Sequence, residues 1–208
     1  GRLLELGSGG GQFAVAAAML GHDVTALELR DAGTRHALDL AARYGVRLHA
    51  VTGSFYDAEL EGPFEAVCYL DGFGIGSDAD QRLLLGRIAG WLAPRGLAFV
   101  DVYTPWYWAQ HAGFTRETDR YRQTYGFDAD ACALLDTYER LDGSGEAGTQ
   151  VLRCYGPADL RLLALGTGLG VIEVWPGGRL DTSTLTWHPR APLGACLSYT
   201  AVLGRTTG

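Results

Sequence analysis

Three glycines carry the first chemical signal. Residues Leu3–Gly11 read L-L-E-L-G-S-G-G-G, an apolar run broken at Gly7, Gly9 and Gly11. A turn this tight needs residues without a Cβ, so that the backbone can take left-handed dihedrals and a ligand can approach closely. The helix that follows starts with unpaired N–H groups and a partial positive charge, which favours an anionic or carboxylate group. Glu28 closes the next strand, 21 positions after Gly7. A carboxylate there can accept hydrogen bonds from both hydroxyls of a ribose. Loop and acid together describe a site for an adenosine-bearing ligand.

A second group of residues could act on a substrate. Asp71 follows the apolar run Phe64–Leu70, and Tyr103 closes another, Leu97–Tyr103. Trp106, Tyr107 and Trp108 come next in a row, then His111. A histidine takes up a proton near neutrality when unperturbed, which makes His111 a candidate general base, with Tyr107 beside it. Trp108 and His111 are three apart and share one face if the segment is helical. The plain alternatives are a surface or core-satisfied histidine and aromatics that only pack. Thr186–Arg190, with His188, is either a lid or a solvated loop. Phe73, Tyr103, Trp106, Trp108 and His188 are the expected substrate contacts. An aromatic wall with few charges suits a small, partly apolar molecule.

The elements that must position these residues follow from apolar periodicity. Arg2–Leu6, Asp23–Leu29, Val46–Val51, Phe64–Leu70 and Leu97–Tyr103 read as strands. Gln12–Leu20 and Ala32–Tyr44 read as helices, the second ended by Gly45. Asp78 is expected to cap a helix to about Leu92, with Leu83, Leu84, Ile88 and Leu92 inward. Pro94-Arg95-Gly96 reads as a turn. This alternation implies a mostly parallel sheet with helices on both faces. After Pro105 the pattern changes. Tyr121–Tyr125, Ala133–Leu141 and Gln150–Tyr155 read as strands, the last two joined through Asp142-Gly143-Ser144-Gly145 as an antiparallel hairpin. A helix from Pro157 to Leu165 and strands Gly170–Trp175 and Ala195–Leu203 complete the chain. The expectation is one domain over residues 1–208 with an insert over about 105–155. The start at Gly1, on an apolar run and without methionine, reads as an excerpt of a longer protein.

Composition narrows the classes. The chain has 208 residues, a formal net charge of −7 and no lysine, all 17 basic residues being arginine. The acidic balance weighs against a nucleic-acid partner. The missing lysine removes a P-loop lysine, a Schiff-base lysine and a lysine base together. No apolar run approaches the roughly 20 residues a membrane span needs, so no membrane partner is expected. Cys68, Cys132, Cys154 and Cys196 form no C-x-x-C pair and read as buried thiols in a reducing, cytoplasmic compartment. No metal is expected.

The loop spacing separates two cofactor classes. Dinucleotide enzymes use G-x-G-x-x-G/A, whose last position is small for close helix packing. Gln12 occupies that position here. The sequence has G-x-G-x-G instead, with Glu5 two residues ahead, and so resembles the first motif of class I S-adenosylmethionine-dependent methyltransferases. Glu28 matches their ribose-binding acid. Gly53-Ser54-Phe55 matches their adenine-binding segment, with Ser54 where an aspartate is common. Leu70-Asp71-Gly72-Phe73 matches the segment lining cofactor and substrate. Trp91–Gly96 resembles their L-x-P-G-G turn, and Tyr155–Leu160 the start of their last helix. The resemblance implies a Rossmann-like, doubly wound α/β fold whose seven-stranded, mostly parallel sheet has an antiparallel last strand, with a small antiparallel insert after the fifth strand. It implies S-adenosylmethionine as cofactor, held by Glu5, Gly7, Ser8, Gly9, Gly11, Glu28, Leu29, Ser54, Phe55, Leu70, Asp71 and Gly72. It implies in-line transfer of a methyl group to a small-molecule acceptor, with aromatic faces steadying the cationic methyl. Two alternatives stay open: other chemistry on the same cofactor, and a non-catalytic module that only binds it. Aminopropyl transfer would need paired carboxylates, and Asp71 has no acid beside it.

Overall fold

The computed structural model describes residues 1–206. Its centre is a seven-stranded sheet in the order β10-β13-β5-β4-β1-β2-β3. The strands are β1 (Arg2–Leu6), β2 (Asp23–Glu28), β3 (His49–Thr52), β4 (Phe64–Phe73), β5 (Leu92–Tyr103), β10 (Leu169–Pro176) and β13 (Ser198–Arg205). β13 runs antiparallel to both β5 and β10, and the pairings from β5 to β3 are all parallel. The sheet and its antiparallel last strand are therefore as expected.

Each face of the sheet has its own apolar layer. Helices α1 (Gln12–Met19) and α2 (Asp31–Tyr44) cover one face, where Ala14, Val15, Ala37 and Ala41 meet Leu3, Val24 and Ala26. The alanines let these helices lie close. A Cβ on Gly11, at the start of α1, would sit 2.4 Å from the Ala37 Cβ, so only glycine fits there. Helices α3 (Asp78–Trp91) and α5 (Pro157–Ala164) cover the other face through Leu84, Leu85, Ile88 and Leu160. Two details of α3 differ from expectation. Ser77, not Asp78, is the N-cap, because its hydroxyl accepts from the Asp80 amide while Asp80 reaches back to the Ser77 amide. Leu83 is exposed and Leu85 takes the inward position, since the buried stripe runs through Leu84, Leu85 and Ile88.

The insert between β5 and α5 is a small structure in its own right. Helix α4 (Pro105–Gln110) packs on a four-stranded antiparallel sheet, β6 (Thr115–Glu117), β7 (Tyr121–Asp128), β8 (Ala133–Arg140) and β9 (Gly148–Arg153). Tyr107, Trp108, Leu134, Leu152 and Cys154 form its core. The expected hairpin through Asp142–Gly145 is β8–β9. Strand β6 and a second hairpin, β11 (Arg179–Asp181) with β12 (Thr186–His188), were not anticipated: three residues per strand give too little alternation to read. That hairpin replaces the expected loop around His188. The cysteines carry no disulfide among the described residues; three are buried and Cys132 is half-buried. No described helix is long and apolar enough to cross a membrane.

Candidate active site

β4 does not stop at Leu70. Its pairing with β5 shifts between Tyr69 and Phe73, and Leu70-Asp71-Gly72 bulges out of the ladder. Asp71 sits at φ 56°, a left-handed backbone that non-glycine residues seldom adopt. The Tyr69 hydroxyl donates to the Gly72 carbonyl at 2.7 Å and closes the bulge. A bulge re-aims a side chain away from the sheet. Here it places Asp71 on the wall of two cavities at once.

The first cavity, of about 650 Å³, opens at the C-terminal ends of β1, β2 and β4. Gly7, Gly9, Glu28, Leu29, Ser54, Phe55, Leu70, Asp71 and Gly72 all line it, as the sequence led us to expect. Glu28 is buried, and its carboxylate braces the loop from both sides. Oε2 accepts from the Gly9 amide at 2.9 Å and Oε1 from the Arg30 amide at 3.0 Å. A carboxylate has about four acceptor sites, so each oxygen retains capacity toward a ligand hydroxyl. A Cβ on Gly9 would meet nothing within 4 Å, which leaves the loop backbone open to a ligand. The Ser54 Oγ accepts from the Tyr56 amide at 3.1 Å and keeps its own proton to donate.

Glu5, Ser8 and Gly11 do not line this cavity. Gly11 packs on Ala37, and Ser8 is buried with no partner for its hydroxyl. Glu5 is buried on the α1 side of β1, with one carboxylate oxygen unpartnered. Burial raises its pKa to about 7, against a smaller opposing effect of the Ala14 amide.

The second cavity, of about 340 Å³, lies between β5, the insert and the β11–β12 hairpin. Tyr103, Tyr107, Trp108 and His111 line it, with Tyr125 from β7 and Trp187 from β12. Trp108 is the hub: its ring lies 5.6 Å from that of Tyr103, 5.1 Å from Tyr107 and 4.9 Å from Tyr125. Its indole N–H donates to the Leu197 carbonyl at 3.0 Å. His111 stacks on Tyr107 with centroids 4.0 Å apart, and its Nδ1 lies 2.7 Å from the Tyr107 carbonyl. A carbonyl can only accept, so Nδ1 carries a proton, and in the neutral ring the lone pair is on Nε2. The Tyr107 hydroxyl donates to the Leu180 carbonyl at 3.1 Å, and burial raises its pKa. Tyr107, expected beside His111 as a catalytic candidate, stacks on that ring and has its hydroxyl engaged with the Leu180 carbonyl. The Tyr103 hydroxyl donates to Asp71; burial first, and that carboxylate second, hold its pKa well above the usual phenol range.

Three expected substrate contacts lie elsewhere. Phe73 is fully buried between Tyr69 and Tyr155 because β4 re-enters the sheet there. Trp106 points away from the cavity, beside Gly156. His188 gives way to Trp187, since neighbours in a strand face opposite sides. The residues missed are Arg116, Gln123, Asp136 and Tyr138, a polar set on the insert strands, and Leu180 and Thr182 on the hairpin. Only pairing of β7 with β8 brings Gln123 opposite Tyr138, and no local pattern announces that.

Comparison with known proteins agrees with this geometry. The methyltransferase-domain family matches residues 3–96. Among curated proteins none matches the sequence. Solved structures share the fold. An S-adenosylmethionine-dependent methyltransferase from Clostridium acetobutylicum superposes with a TM-score of 0.78 at 14% identity, over 99% of this chain and 84% of that one. The CcbJ methyltransferase from Streptomyces caelestis gives 0.80 at 22% identity, with coverage of 99% and 84%. The 1,6-didemethyltoxoflavin-N1-methyltransferase from Burkholderia thailandensis, solved with 1,6-didemethyltoxoflavin and S-adenosylhomocysteine, gives 0.60 at 17%, with coverage of 100% and 71%. The fold is that of the Rossmann-like methyltransferases. Residues 3–96 thus match the methyltransferase-domain family, and the chain as a whole shares the fold of solved S-adenosylmethionine-dependent methyltransferases.

Proposed function

We propose that this chain is a class I S-adenosylmethionine-dependent methyltransferase and that it methylates a small molecule held in the aromatic cavity. The observation that carries the reading is Asp71, which walls both cavities and so puts an acceptor next to the cofactor site. S-adenosylmethionine, when bound, supplies an electrophilic methyl carbon. The chain's own residues do the rest. Glu28 holds the ribose, Ser54 and Phe55 border the adenine, and the bare backbone at Gly9 admits the amino-acid portion. The aromatic walls exclude water and orient the acceptor, which is the larger part of catalysis in an in-line transfer. Nε2 of His111 receives a proton from the acceptor. A cavity of about 340 Å³ lies at the small-metabolite end of the usual range. The Burkholderia structure, solved with 1,6-didemethyltoxoflavin and S-adenosylhomocysteine, supports the same reading.

The test is a panel of small-molecule, peptide and nucleic-acid acceptors, read as S-adenosylhomocysteine release. The expected result is turnover with small molecules only, lost in Trp108→Ala while the variant still binds S-adenosylhomocysteine. Turnover of a peptide or nucleic acid in place of any small molecule overturns the proposal.

A further inference from the structure

We infer that the acceptor is an amine, which enters the aromatic cavity as its ammonium ion and is held by the carboxylate of Asp136. The inference rests on the reading of that cavity as the acceptor site.

Asp136 lies on β8, is buried, and lines the cavity. It makes no ion pair among the described residues, yet its position is fixed. Gln123 Nε2 donates to its two oxygens at 2.8 and 2.9 Å, and the Tyr138 hydroxyl donates to Oδ2 at 2.8 Å. Gln123 is itself oriented. Its Oε1 accepts from Arg116 Nε at 2.6 Å, and since a guanidinium only donates, the amide nitrogen must face Asp136. The chain Arg116–Gln123–Asp136–Tyr138 thus presents a carboxylate in a set geometry, with Oδ1 accepting a single bond.

Asp71 is a second carboxylate on the same cavity, likewise without an ion pair among the described residues. The one guanidinium on the wall is Arg116, exposed and 6.0 Å from the Tyr125 ring centroid. Arg179 of β11 lies near enough to act on Tyr107, but neither it nor Arg116 forms an ion pair with either carboxylate among the described residues. A buried carboxylate without a cationic partner is unfavourable, and a ligand cation relieves it. The surrounding rings of Tyr103, Trp108 and Tyr125 favour the same charge through their faces. An acceptor that becomes an anion, such as a phenol or a carboxylic acid, would meet repulsion here.

The chemistry balances. The ammonium gives one proton to Nε2 of His111. The freed nitrogen lone pair forms the C–N bond as the methyl C–S bond breaks, and that bond's electrons stay on sulfur as a neutral thioether. The product leaves as an N-methylammonium ion, and His111 returns its proton to solvent.

Matched probes test this: benzylamine against benzyl alcohol, and phenethylamine against phenethyl alcohol. Each is titrated into the protein saturated with S-adenosylhomocysteine and followed by tryptophan fluorescence and calorimetry. The expected result is that the amines bind at least tenfold more tightly, with an advantage that shrinks at high salt. Asp136→Asn should erase the preference while S-adenosylhomocysteine still binds. Tyr138→Phe, which keeps the charge, should retain it. If Asp136→Asn does not fold, the wild-type preference and its salt dependence decide. Equal binding of amines and alcohols overturns the amine assignment and leaves the small-molecule reading standing. Binding of neither, or an amine preference that survives in folded Asp136→Asn, overturns the assignment too.

Discussion

At the residue scale, two acids with similar positions in the motif have opposite jobs. Glu28 is open to the cofactor cavity and tied to two backbone amides. Glu28→Gln removes the charge that strengthens its bonds to ligand hydroxyls. A hydrogen bond to a charged group contributes about 1.5–3 kcal/mol, so S-adenosylhomocysteine affinity should fall roughly tenfold to a hundredfold by calorimetry. Unchanged affinity would remove Glu28 from the site. Glu5 faces the alanine helices instead, and its folded-state pKa is raised by burial from 4.5 to about 7. Folding therefore favours its protonated form. That contribution is complete below about pH 4.5 and is lost as pH rises through about 7. Glu5→Gln, always neutral, should flatten the stability profile and gain up to about 3 kcal/mol over the parent at pH 8. Urea unfolding at pH 5 and pH 8 gives the comparison; parallel profiles would show that Glu5 is not buried as a neutral acid.

At the scale of elements, legibility followed the length of the repeating pattern. β1, α1, β2 and α2 were plain because apolar runs and glycine breaks alternate over whole elements. The bulge in β4 was not, because Leu70-Asp71-Gly72 continues an ordinary strand sequence and only the Tyr69 hydroxyl bond shows that the chain leaves the ladder. Along the site, residues contributed by the glycine loop and strand ends were readable. Gln123, Asp136 and Trp187 were not, since cross-strand pairing and hairpin placement bring them in. The cap of α3 slipped by one because Ser77 and Asp78 are both good caps, and the reciprocal bond to Asp80 decides between them. Ser77→Ala should lower stability by about 1 kcal/mol in denaturant unfolding. Trp187 belongs to the β11–β12 hairpin and is half exposed, so Trp187→Ala should leave folding intact. We expect it to raise KM for the acceptor several-fold with unchanged S-adenosylhomocysteine affinity. Equal effects on both ligands would place the hairpin over the cofactor instead.

At the scale of the molecule, one sheet supports two kinds of neighbour. On its faces, alanine-rich and leucine-rich helices fix the strands. Beyond its C-terminal edge, the insert and hairpin build the aromatic cavity from sequence that the family match over residues 3–96 does not reach. Cofactor binding should therefore stabilise the framework strongly. S-adenosylhomocysteine at a hundred times its Kd adds about 2.7 kcal/mol, which for a chain of this size raises Tm by roughly 5–10 °C in a thermal scan. A shift near zero would mean that the ligand binds the unfolded chain equally well.

Asp71 belongs to both cavities, and this has a thermodynamic consequence. A ligand in either one fixes the same side chain and the same strained backbone, so the two occupancies cannot be independent. Whatever factor the cofactor imposes on acceptor affinity, the acceptor must impose on the cofactor. Titrating S-adenosylhomocysteine with and without a bound amine measures that factor from one side, and the reverse titration must return the same value. Under the proposed reading, the left-handed turn at the end of one strand is where the two ligands would sense each other.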